Sequence, residues 1–284
     1  MRREPPQRLR DYAPIAWSGT MLGVFFLIPF ATMIAVSFFH RDPGAFYTPG
    51  FELANYQRFL TAFFAGILGF SLFLAILVAV LAVAIAFPFV WSLVRLPRRA
   101  QVGWLIAILS VLSLSEVIIG FAWSTLFSRT AGLTNLLVLI GLLDHPIALT
   151  PGFGAVLAAM VYQALPYTVL VLYPALARLD PALTEAARTM GANPVQAFLT
   201  VVVPTCRNTI VATLVIVFVF ALGSYLLPQI LGRPRQWTLS VIITDQAIYQ
   251  SNMPFAAAMA VFLVVVTLAM VGLAARLGRR EGAQ

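Results

Sequence analysis

No lysine occurs in this chain, and that absence removes the phosphate loop Gly-x-x-x-x-Gly-Lys-Ser/Thr by which many polypeptides hold ATP. Cysteine is nearly absent too. Cys206 stands alone, so neither an intrachain disulfide nor a multi-cysteine zinc site is open to the chain. The two histidines, His40 near Asp42 and His145 next to Asp144, do not cluster, and they read as surface residues with no metal to bind. Charged residues make up only 10% of the sequence, and the ten acids are scattered. No grouping of acids, histidines and nucleophiles of the kind an enzyme site needs is visible.

Apolar residues fill the space left by charge. They make up 61% of the chain, and the mean hydropathy is +0.94. That is more apolar surface than one soluble core can hide, so the chain belongs in a bilayer. A net charge of +8 is compatible with a nucleic-acid partner, but the arginines sit beside apolar runs and no basic stripe with interleaved stacking aromatics occurs. Nucleic acid is therefore excluded as a partner, and lipid is the expected surrounding.

A hydrocarbon core of about 30 Å needs roughly 20 apolar residues in a helix. Six stretches qualify, at 15–39, 66–93, 102–127, 154–176, 209–231 and 255–277. They predict an all-α membrane protein with a permease domain over 15–277 and short tails at 1–14 and 278–284. The first stretch is too long for a signal peptide and has no small-residue cleavage site after it, so it is expected to remain as an anchor. Arginines near the span ends divide unevenly. Thirteen, from Arg2, Arg3, Arg8 and Arg10 through the Arg95–Arg99 run, Arg178, Arg188 and Arg207 to Arg276, Arg279 and Arg280, fall on one side. Only Arg41, Arg58, Arg129, Arg233 and Arg235 fall on the other. The positive-inside rule then places both termini and the segment 178–204 in the cytoplasm.

That segment is the most informative in the chain. Asp180 and Pro181 are a good N-cap and first helical residue, and Gly191 is placed to end the helix they start. Leu183, Ala186, Ala187 and Met190 recur at helical spacing, giving one narrow apolar stripe. Asn193 and Pro194 restart a second helix in which Val195, Phe198, Leu199 and Val202 repeat the spacing before Pro204. The product is a compact helical knob between two spans.

Glu185, Ala186, Ala187, Gly191 and Pro204 fall in the register of the EAA loop of ATP-binding-cassette importers, with Val201 and Val203 where the pattern has Ile and Leu. The segment thus resembles the coupling loop of type I importer permeases. The resemblance extends along the chain through Asn55-Tyr56, Phe121-Ala122-Trp123, Gly132-Leu133-Thr134-Asn135, the run from Tyr225 to Gly232, and Ala256-Ala257-Ala258. These residues are similar to the spermidine/putrescine branch of that family. The resemblance implies a multi-pass subunit of the bacterial inner membrane, paired with a second homologous permease, two ATPase subunits and a periplasmic solute-binding protein. It also implies that this chain binds no cofactor, since ATP and magnesium sit on the ATPases. Glu185, Ala186, Ala187, Met190, Gly191, Ala192 and Pro204 would form the ATPase-coupling surface.

For the solute itself, Glu116 is the only acid in the middle of an apolar stretch. A carboxylate there costs about 2.5–3.5 kcal/mol on insertion scales, so it reads as a functional group or as one satisfied at a helix break or by another subunit. With Ser113, Ser115 and Trp123 it would offer a cation a polar and aromatic wall. Tyr225, Asp245 and Tyr249 complete the expected path, the last two sharing a face of an outward loop over 232–254. A polyamine is the leading cargo, with an opine or amino-acid-like solute as the alternative. Two rival readings stay open on the residues alone: a proton-coupled transporter using Glu116 as relay, and a membrane scaffold or enzyme.

Overall fold

The computed structural model describes residues 17–280 apart from 43, 45 and 131, with side chains to Ala274. The expected tail at 1–14 with its four arginines, the start of the first span at 15–16, and residues 281–284 lie outside the described residues. Among those described the chain is helical, and its one β feature is an isolated antiparallel bridge between His40 and Thr48. The helices are α1 (Trp17–Val36), α2 (Ala54–Phe59), α3 (Ala62–Leu93), α4 (Arg98–Leu112), α5 (Glu116–Leu126), α6 (Leu133–Leu139) and α7 (Phe153–Ala177). They continue as α8 (Pro181–Thr189), α9 (Pro194–Thr205), α10 (Arg207–Gly223), α11 (Leu226–Leu231), α12 (Leu239–Tyr249) and α13 (Met253–Arg280).

Four of these, α1, α3, α7 and α13, are long and apolar enough to cross a membrane singly. Two bent pairs, α4 with α5 at 94° and α9 with α10 at 73°, bring the count to as many as six if each pair is one span. Among the described residues the chain divides into two compact units, the smaller running to residue 61 and including 243–265, the larger formed by 62–242 and the chain from 266 onward.

In the larger unit α3, α7 and α10 pack on one another. Small residues make this possible. Ala75, Ala79, Ala82 and Ala86 line one face of α3, and Ala155, Ala159 and Ala164 line α7, all buried. Lipid tails are as apolar as leucine, so helix association in a bilayer draws on such close packing rather than on expulsion of water. The outward faces stay apolar: Phe73, Ile76, Val80 and Ile85 of α3 are exposed, as a lipid-facing surface requires.

The third and fifth spans differ from expectation, because neither is one continuous helix. In the third, Ser113 folds back on α4, its Oγ donating to the Leu109 carbonyl at 3.3 Å, and Ser115 is extended (φ −63°, ψ 137°). Glu116 therefore opens a new helix instead of lying mid-span. In the fifth, α10 stops at Gly223, Ser224 is extended and α11 starts at Leu226. Pro228, in the first turn of α11, suits a helix start there, since its ring clashes with the carbonyl four residues back, which is that of Ser224. The Ser224 carbonyl accepts instead from Thr238 Oγ1 at 3.5 Å. The supposed outward loop 232–254 is also largely helical, since α12 buries Leu239, Ser240 and Val241. The Leu239 amide donates to Ser71 Oγ at 2.8 Å, and Ser240 Oγ donates to the Leu222 carbonyl at 2.7 Å.

The smaller unit is tied by polar contacts around the His40–Thr48 turn. His40 Nδ1 pairs with Glu52 Oε2 at 2.5 Å rather than with Asp42. Arg41 donates to the Gln250 carbonyl at 2.8 Å, and Asn55 Nδ2 donates to the carbonyls of Ser37 and Phe39. Arg58 lies over the Phe255 ring at 4.4 Å, and Phe59 packs on Phe262 at 4.6 Å.

Candidate functional site

Two places in the larger unit gather the chemistry. The first is the helix–turn–helix α8–α9. Asp180 caps α8 by accepting from the Ala182 amide at 2.9 Å. Gly191 ends it with φ +94°, a region open to glycine and strained for any side chain. Asn193 and Gln196 then form a reciprocal capping box at the start of α9, each side chain accepting from the other's backbone amide at 2.8–2.9 Å.

The expected apolar stripes split between two faces. Ala187 is buried with Thr184, but Ala186 and Glu185 are exposed, and Leu183 and Met190 are 45% and 83% exposed. On α9, Val202 is fully buried and Phe198 half-buried, while Val195 and Leu199 face out. On α9 the two faces follow helical spacing, Val195 and Leu199 lying four apart on the outer side and Phe198 and Val202, which bound a π-helical turn, four apart on the inner. Ala192 is half-buried, and Pro204 is exposed just before the α9–α10 bend.

The inward face is fixed to the spans. Val202 and Cys206 share one buried cluster with Ala86, Phe87 and Val90 of α3 and Val169, Leu172 and Leu176 of α7. Phe198 packs against Phe87 at 5.5 Å and Trp91 at 6.2 Å. Below it, Tyr173 donates to Gln101 Oε1 at 2.8 Å and accepts from Arg98 at 3.2 Å, and Gln101 donates to the carbonyls of Val94 and Leu96. Arg95 stacks on Trp91 at 3.8 Å. Burial, and the nearby charge of Arg188, hold its guanidinium below the usual arginine range.

The second place is where the broken third and fifth spans meet. Glu116, first residue of α5, accepts a hydrogen bond from Ser224 Oγ at 3.1 Å. A carboxylate at a helix start gains about 0.3–1 kcal/mol from the helix dipole, and a hydrogen bond to a charged group adds about 1.5–3 kcal/mol. Together these are comparable to the insertion cost, so no second chain is required to hold Glu116 there. Behind it α5 and α11 approach closely at Gly120, where a Cβ would stand 2.9 Å from Ile230 Cδ1. Trp123, two turns on, packs on Tyr162 of α7 at 5.7 Å and on Phe127 at 5.1 Å. Tyr225 is 39% exposed beside Ser224.

Glu116, Trp123 and Tyr225 thus all fall in the larger unit. Asp245 and Tyr249 belong to the smaller one, on a π-helical turn that undoes their expected i, i+4 pairing. Asp245 instead accepts from Gln250 Nε2 at 2.7 Å, five residues on. Gln163 escaped the sequence reading. It sits in an apolar run of α7, and its Oε1 atom is buried with no hydrogen-bond partner.

Comparison with known proteins agrees with this architecture. The "Spermidine/putrescine transport system permease protein PotB" of Escherichia coli K12 is 30% identical over 246 residues, covering 86% of this chain and 89% of that one. The "Inner membrane ABC transporter permease protein YdcU" of the same organism is 26% identical over 280 residues, covering 93% and 87%. A solved bacterial ABC transporter involved in import of the acidic polysaccharide alginate superposes with a TM-score of 0.78 at 19% identity, covering 96% of each chain, which gives the fold of a type I importer permease. Residues 12–282 match a single family model, so the chain belongs to the binding-protein-dependent transport system inner membrane components.

Proposed function

We propose that this chain is one permease subunit of an ATP-driven importer that moves a polyamine delivered by a periplasmic binding protein. Its partners in this reading are a second homologous permease and two ATPase subunits, and both of its termini are cytoplasmic. The observation that carries the reading is the two-faced mounting of α8–α9. Its outer face offers Leu183, Met190, Val195 and Leu199 to a partner. Its inner face is locked into the α3–α7 core. A packed core transmits displacement rather than absorbing it. ATP-driven movement of a docked ATPase would therefore be passed to α3 and α7, and through the α9–α10 bend to α10. Since α10 ends at Gly223, next to Ser224, the same motion reaches the Glu116 contact where the two broken spans meet.

Glu116 supports a cationic cargo, as do the spermidine and putrescine in the name of the PotB relative. Glu185 is exposed, and it is free to pair with a basic residue of an ATPase. The reading is tested by uptake of labelled spermidine and putrescine in cells carrying the whole transporter. Uptake is expected to survive collapse of the proton gradient while ATP is maintained, and to stop when ATP is depleted. The opposite pattern would identify proton-coupled transport through Glu116.

A further inference from the structure

Gln163 poses a question that the packing leaves open. Its buried Oε1 accepts no hydrogen bond, and a bare buried acceptor is destabilising. It borders a cavity of about 40 Å³ lined by Val111, Leu112, Leu114, Ile119, Gln163 and Tyr167. That volume admits one group the size of a water molecule.

The position of the cavity gives it chemistry. Leu112 is the last residue of α4, Leu114 lies in the break of the third span, and Ile119 is in the first turn of α5. The carbonyl end of a half-helix therefore borders the cavity with a partial negative charge, although Ser113 and Leu114 already donate to the carbonyls of Leu109, Ser110 and Val111. From α7, Gln163 and Tyr167 stand four residues apart on one face. The Tyr167 ring is held against Phe220 of α10 at 4.8 Å and is 40% exposed. Glu116 begins α5 one turn before Ile119. An amide oxygen, a tyrosine and a helix carbonyl end thus border one small cavity, a set that answers a donor of positive charge.

We propose that Gln163 and Tyr167 form a subsite for one primary ammonium group of the cargo, and so select amine-terminated solutes. The assignment rests on the polyamine reading of the transporter. An ammonium carries three N–H donors and no acceptor, which matches an acceptor-lined cavity of this size. The aromatic ring of Tyr167 adds a face for the same charge. A structural water is the competing occupant. It would stabilise the fold but would not distinguish one cargo from another.

The test is uptake of labelled putrescine and of its monoacetylated derivative by cells expressing the complete transporter. The variants are Gln163→Leu, Gln163→Glu and the milder Tyr167→Phe, with the amount of assembled complex in the membrane measured alongside. Gln163→Leu is expected to lower putrescine uptake about tenfold or more at unchanged complex level. It should also lose the wild-type preference for the diamine over the monoacetylated form. Gln163→Glu should retain that preference, and Tyr167→Phe should weaken it in part. Unchanged uptake and preference in Gln163→Leu and Tyr167→Phe would overturn the assignment, as would a loss matched by loss of complex, the signature of a structural water. Absence of polyamine uptake by the wild-type transporter would instead refute the cargo reading, and the ammonium subsite with it.

Discussion

Gly191 and Glu116 are the residues on which the coupling and the cargo most depend, and each makes a separable prediction. With φ at +94° and no atom within 4 Å of the place a Cβ would occupy, Gly191 is required for its backbone and not for space. Gly191→Ala therefore probes strain alone, at about 1–3 kcal/mol, whereas Gly191→Trp adds bulk beside the exposed Met190. The alanine variant is expected to keep substantial uptake. The tryptophan variant should hydrolyse ATP with little transport, which the ratio of ATP hydrolysed to solute accumulated would reveal. Normal uptake by Gly191→Trp would remove the turn from the coupling path. At Glu116, substitution by Gln preserves a partner for Ser224 while removing the charge. Polyamine uptake should fall about tenfold, equivalent to about 1.4 kcal/mol, in an intact complex. Unaltered uptake would strike Glu116 from the solute path.

At the scale of elements, the helix ends were more legible in the sequence than the helix breaks. Asp180-Pro181, Gly191 and Asn193-Pro194 are punctuation with a mechanism, and each acts in the fold as that mechanism requires. The break at Ser113–Ser115 is different. Its residues interrupt the run of apolar side chains too briefly to lower a span-length average, so hydropathy passes over it. Pro228 was the available signal for the other break, but an ambiguous one, because Pro88, Pro166 and Pro174 lie inside helices that run through. The direction of the α8 and α9 stripes could not be read from spacing at all. Periodicity tells which residues share a face but not which way that face points. Gln163 stayed invisible because a single polar residue in an apolar helix declares no function until its unsatisfied atom is located. The small-residue seam carries its own prediction. Ala159 on α7 is fully buried, so Ala159→Leu should overpack the α3–α7–α10 bundle by about 1–3 kcal/mol. Thermal unfolding of the detergent-solubilised complex should show a lowered midpoint. Ala159→Gly, which adds no volume, should cost about 1 kcal/mol or less through helix propensity.

For the whole molecule, the outer face of α8–α9 is the surface through which an ATP-driven machine would have to act. Met190 is its most exposed large side chain, at 83%, and can be changed without disturbing the core beneath. The most direct measurement is mass spectrometry of the proteins that co-purify with the tagged chain from its native membrane, compared between wild type and Met190→Glu. The wild type is expected to bring down a phosphate-loop ATPase and a second permease of the same family. Met190→Glu should retain the permease and lose most of the ATPase. Recovery of the wild-type chain without any ATPase, or equal ATPase recovery in both, would contradict coupling through this loop.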